Sequence, residues 1–168
     1  MNKPANVIFF VLVFLLQLII SNYLNLGPYV FICLVPFMIM NLPLQMRPQA
    51  VLLVAFGVGL LLDILSDGVA GLNAAAAVAA AAPRKFFYLT MVNSDRQDAI
   101  GIAVPGTVGV GKYLKYAAAV TAVYLAVYIA LDCISFRPFS FILAKFAAST
   151  LANLALALVL GLSFQNRN

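Results

Sequence analysis

The sequence predicts an all-α integral membrane protein: one transmembrane domain over residues 1–168, built as a six-helix bundle with both termini in the cytoplasm. Three observations carry this expectation. Hydrophobic residues make up 65% of the chain and charged residues 9%, whereas soluble domains carry about 25% charged residues. The apolar residues lie in several continuous runs rich in Leu and Ala, a pattern of repeated helical crossings rather than of one anchor or of alternating barrel strands. The basic residues are also unevenly placed. Lys3, Arg47, Arg84, Lys85, Arg96, Lys112, Lys115 and Arg167 fall on the side of the termini, and Arg137 is the one basic loop residue opposite. The positive-inside rule then puts the termini in the cytoplasm.

The first helix is predicted at about 7–20, with Gln17 as a polar interruption suited to an interhelical hydrogen bond. Ser21 to Asn25 offers no small-x-small cleavage site, so this helix reads as retained rather than as a signal peptide. The second helix, at 29–42, contains Pro36 near its middle, where proline kinks or breaks a helix. The third, at 50–66, runs into the turn signal Asp67-Gly68. The fourth, at 72–85, has eight alanines among residues 74–82, which suits a central helix approached closely by its neighbours. Pro83 interrupts it early. Either the helix continues to Val92 with Arg84 and Lys85 snorkelling, or Phe86 to Val92 lies along the interface, and the second is preferred. A cytoplasmic loop at 93–111 leads to the fifth helix at 112–131, anchored by Lys112, Tyr113, Lys115 and Tyr116. The sixth spans 141–164.

The chain has no His, Glu or Trp, and its five acidic residues are all Asp, so the commonest general bases and metal ligands are missing. No catalytic residue, metal ligand or cofactor is expected. The net charge of +5 comes from basic residues scattered singly, which gives no nucleic-acid footprint. Cys33 and Cys133 have neither metal spacing nor an evident pairing, and read as packing residues.

The stretch from Gly57 to Asn73 stands apart. It places Gly57, Gly59, Asp63, Asp67, Gly71 and Asn73 where an apolar helix leaves the membrane. Helical spacing stacks Asp63 and Asp67 on one face with Gly59 and Gly71. The sixth helix carries a polar stripe, Lys145, Ser149 and Asn153, at intervals of four. An intramembrane lysine costs about 2.5–3.5 kcal/mol even on insertion scales, so it requires a protein partner. Lys145 and Asp63 lie at matching depths, which suggests an ion pair between the third and sixth helices. The alternative is a snorkelling Lys145 and a hydrated Asp63.

Two motifs fail on inspection. Gly106 to Lys112 matches the core of a phosphate-binding loop, but Tyr113 stands where Ser or Thr would hold Mg²⁺, and no strand pattern precedes it. Intramembrane aspartyl proteases use Gly-x-Gly-Asp, whereas Gly57-Val58-Gly59 is followed by Leu60. An ion-coupled transporter would want paired broken helices, and Pro36 marks a single candidate break.

The Gly-rich third helix running into Asp63, Asp67, Gly71 and Asn73, together with the Gly109-to-Tyr116 approach and the Leu131-to-Phe136 exit, resembles the rod shape-determining protein MreD family over nearly the whole chain. The resemblance implies a non-enzymatic scaffold in the bacterial cytoplasmic membrane that helps organise peptidoglycan synthesis and cell shape. Its implied partners are MreC directly, and MreB, RodA and the elongation transpeptidase at the level of the complex, with any homo-oligomer arising through that complex. The implied fold is similar to the substrate-binding subunits of energy-coupling vitamin importers. A small-molecule binding subunit is accordingly the rival function, but the importers' Ala-x-x-x-Ala contact has no counterpart in the first helix.

Overall fold

The computed structural model describes residues 3–23, 27, 29–67, 70–92, 105–132 and 138–165, and these are all-helical without strands. Three helical stretches, Pro48–Ser66, Val110–Asp132 and Phe139–Ser163, are long and apolar enough to cross a membrane. Ile8–Tyr23 and Leu72–Ala81 are shorter apolar helices. The chain is a membrane-embedded all-α protein.

Helix α1 (Lys3–Tyr23) has an exposed apolar face and packs through Val13 and Gln17. The next element departs from expectation. Instead of one helix over 29–42, residues 30–34 are not helical, and only Val35–Met40 form helix α2. Pro36 lies in the first turn of α2, where its missing N–H is not needed, so it begins a helix rather than kinking one. Every residue from Cys33 to Met40 is buried. This short segment forms the centre of the bundle.

Helix α3 (Pro48–Leu62) also begins with proline and passes into a π-helical turn, Asp63–Asp67. The chain turns back through Gly71, whose φ of 104° favours glycine, into helix α4 (Leu72–Ala81). The alanine run is central as expected: Ala74, Ala76, Ala77, Ala80 and Ala81 are buried, and α4 packs between α3 and the later helix α7. Gly59 permits this approach, since a Cβ there would stand 2.6 Å from Ala74 Cα.

Backbone angles stay right-handed through Ala82 and Pro83 into helix α5 (Arg84–Met91). Tyr88 and Val92 pack inward while Phe86 and Thr90 are exposed. Arg84 does not snorkel, the less favoured of the two readings: the residue is buried and donates to Ile39 O at 2.7 Å, Leu42 O at 2.9 Å and Pro43 O at 3.0 Å. Its guanidinium closes the C-terminal end of α2, where unpaired carbonyls concentrate negative charge.

Helix α6 (Pro105–Val108) is a single turn, and Gly109, with φ of 84°, separates it from α7 (Val110–Asp132). The phosphate-loop-like sequence is thus a helix–turn–helix. Residues 93–104 of the expected loop, and Cys133 to Arg137, lie outside the described residues. Tyr113, Tyr116, Tyr124 and Tyr128 line the buried face of α7. Helix α8 (Phe139–Gln165) receives Tyr113 at Gly161, and the phenol donates to Ala157 O at 3.0 Å.

Candidate functional site

The non-helical backbone at 30–34 lacks intrahelical partners, and a buried N–H without one costs about 1–3 kcal/mol. Three side chains from two other helices meet that need. Phe31 N donates to Ser149 Oγ at 2.9 Å, and Cys33 N to Asn153 Oδ1 at 2.8 Å. Leu34 N donates to Gln17 Oε1 at 2.6 Å. Asn153 Nδ2 returns a bond to Phe31 O at 2.8 Å and another to Ser149 O at 2.8 Å. The stripe on α8 is therefore a clamp for a non-helical piece of backbone. Its three members do not act together: Ser149 and Asn153 hold the segment, and Lys145 does not.

Asp63 carries the second half of the network. Its carboxylate is fully buried and accepts from Gly71 N at 2.8 Å, Asn73 N at 2.9 Å, Asn73 Nδ2 at 2.9 Å and Ala74 N at 3.2 Å. These donors include the first N–H groups of α4, where the helix dipole favours an anion. The π-turn aims a carboxylate from the end of one helix at the start of the next. Asn73 extends the network inward, because its Oδ1 accepts a short hydrogen bond from the Tyr124 hydroxyl. The Cys33 thiol in turn donates to Tyr124 Oη at 3.2 Å. Carboxylate, amide, phenol and thiol thus join the turn, α4, α7 and the non-helical segment. Phe31 stacks on Tyr128 beside them, with ring centroids 4.1 Å apart and planes inclined by 12°.

The pairing of Asp63 with Lys145 is overturned. Lys145 Nζ meets Asp132 Oδ2 at 2.6 Å, between the last turn of α7 and α8. Asp132 ends the helix that precedes α8 and lies closer to Lys145 than matching depth along straight helices implies for Asp63. Asp63, for its part, had no need of a cation once α4's amides surrounded it. The glycines also divide. Gly59 and Gly71 hold positions that exclude a side chain or favour glycine, but a Cβ on Gly57 would meet nothing within 4 Å. Asp67 closes the π-turn in sequence, and its side chain lies outside what is described.

Sequence reasoning passed over Tyr124 and Arg84 as site residues and read Cys33 only as packing. The signal for Tyr124 was present, since tyrosines 113, 116, 124 and 128 recur on one face of a membrane-spanning helix. Chemically, the arrangement fixes geometry. Asp63 is saturated by donors, and the Cys33 thiol is itself a donor rather than the partner of a base. Among the described residues no group of three His, Cys, Asp or Glu side chains is placed to hold a metal ion. Among the described residues, the buried atoms Gln17 Nε2 and Tyr116 Oη have no hydrogen-bond partner. No protein-family model, characterised protein or solved structure matches the chain.

Proposed function

We propose that the protein is a non-enzymatic membrane scaffold of the MreD kind, holding an MreC-like partner in the bacterial cytoplasmic membrane and through it serving cell-wall elongation. The observation that carries this reading is the use made of the buried polar groups. Asp63, Asn73, Tyr124, Ser149 and Asn153 join helices to one another and to a non-helical backbone. A scaffold needs such a fixed arrangement of helix faces, and no chemistry.

The proposed topology has six crossings with both termini cytoplasmic, as the basic residues favour. Non-helical backbone in the second segment is compatible with a crossing there, because Ser149, Asn153 and Gln17 accept from its amides. Irregular backbone is tolerated at that depth where protein surrounds it and satisfies its donors.

Affinity capture of the full chain from detergent-solubilised bacterial membranes tests the reading. The expected result is recovery of an MreC-type single-crossing protein. Recovery of the ATPase pair of a vitamin importer in its place would establish the rival function.

A further inference from the structure

Helix α7 carries unequal charge at its two ends. At its C-terminal end Asp132 is matched by Lys145, the only ion pair among the described residues. At its N-terminal end Lys112 and Lys115 are exposed, three residues apart and hence neighbours on the helix surface. They alternate with the buried Tyr113 and Tyr116, so the aromatic rings face the bundle and the ammonium groups face away. Helix α5 packs against the same end, with the Tyr88 ring edge-on to Tyr116 and 5.7 Å between centroids. It adds the exposed Lys85 and the phenyl ring of Phe86, which is 67% exposed. Neither α5 nor the first turns of α7 contain an acidic residue.

The length of α7 places this edge. Its 23 residues extend about 34 Å, slightly more than the roughly 30 Å hydrocarbon core, so its terminal turns reach the headgroup layers. Three ammonium groups beside an exposed phenyl ring match a phosphate headgroup and the acyl chains beneath it. We propose that the edge formed by α5 and the first turns of α7 is a docking surface for anionic phospholipid headgroups. Membrane embedding is all it requires, so it stands apart from the scaffold reading. A lipid is favoured over an acidic protein segment because Lys112 and Lys115 sit on a helix long and apolar enough to cross the bilayer, and α5, which carries Lys85, packs against the same end of it.

The test is native mass spectrometry of the purified full chain, with phosphatidylglycerol and phosphatidylcholine of identical acyl chains competing in equal amounts. The intact protein is expected to retain phosphatidylglycerol preferentially, and added salt is expected to weaken that preference. The combined change Lys85→Gln, Lys112→Gln and Lys115→Gln is expected to abolish it, at about fivefold per lysine and roughly a hundredfold in all. The same three positions changed to Arg are expected to keep it, which separates lost charge from lost folding. Equal retention of the two lipids by the intact protein overturns the proposal. Unchanged preference in the folded glutamine variant, or binding of an acidic peptide without any lipid preference, overturns it as well.

Discussion

Replacing Asp63 by asparagine keeps the shape of the side chain but removes its charge and converts one oxygen into an NH₂ donor. Each carboxylate oxygen accepts two hydrogen bonds, Oδ1 from Asn73 N and Nδ2, and Oδ2 from Gly71 N and Ala74 N. Whichever oxygen is replaced, two N–H donors come to face a third. Two hydrogen bonds to a charged acceptor contribute about 1.5–3 kcal/mol each, and a partly buried charge at a helix terminus adds up to about 2 kcal/mol. The remaining amide oxygen still accepts neutral bonds, so the expected loss is about 3–5 kcal/mol. Lys145→Met breaks an ion pair whose side chains are 13% and 37% exposed, and is expected to cost about 1 kcal/mol or less. Reversible unfolding by SDS titration in mixed micelles measures both variants and their combination. The two residues belong to separate clusters, so the double variant should show the sum of the single losses within about 0.5 kcal/mol. A loss below about 1 kcal/mol for Asp63→Asn would refute the capping role, and a larger coupling would restore a direct pair.

The glycines of α3 give a paired prediction: Gly59→Ala places a methyl group 2.6 Å from the backbone of Ala74 and is expected to destabilise by about 1–3 kcal/mol, whereas Gly57→Ala, in open space, should be neutral or slightly stabilising in the same titration. Asn153→Leu removes the acceptor for Cys33 N and the donor to Phe31 O, with an expected loss of about 2–4 kcal/mol, and amide hydrogen exchange at Cys33 should quicken while that in the middle of α7 stays slow.

The all-helical, membrane-embedded character was legible because apolar run length and low charge report directly on the solvent around a helix. The alanine run was legible too, since small side chains describe how near a neighbour comes. What stayed hidden depends on pairing across the chain. Ser149 and Asn153 stood out as polar residues on an apolar helix, yet nothing nearby in sequence named the amides of Phe31 and Cys33 as their partners. Residues 30–34 read as helix because Leu, Phe and Ile suit any buried conformation, and the choice was made by side-chain acceptors on α1 and α8. The four-residue spacing of Asp63 and Asp67 implied an α-helix there, whereas the backbone over Asp63–Asp67 is π-helical. Arg84 looked like a surface cation. Its acceptors are three carbonyls released where α2 ends, and that helix end was itself misplaced.

The clamp on residues 30–34 also sets an order of events during synthesis. The amides of Phe31 and Cys33 find their acceptors on residues made 118 and 120 positions later. At about 5–20 residues per second, the ribosome takes on the order of ten seconds to supply them. Until α8 emerges, Gln17 is the one clamping side chain already made, and the amides of Phe31 and Cys33 lack their acceptors. Its settlement in the bilayer is consequently a late event, and a nascent chain stalled before Ser149 presents the membrane's quality-control proteases with unprotected backbone.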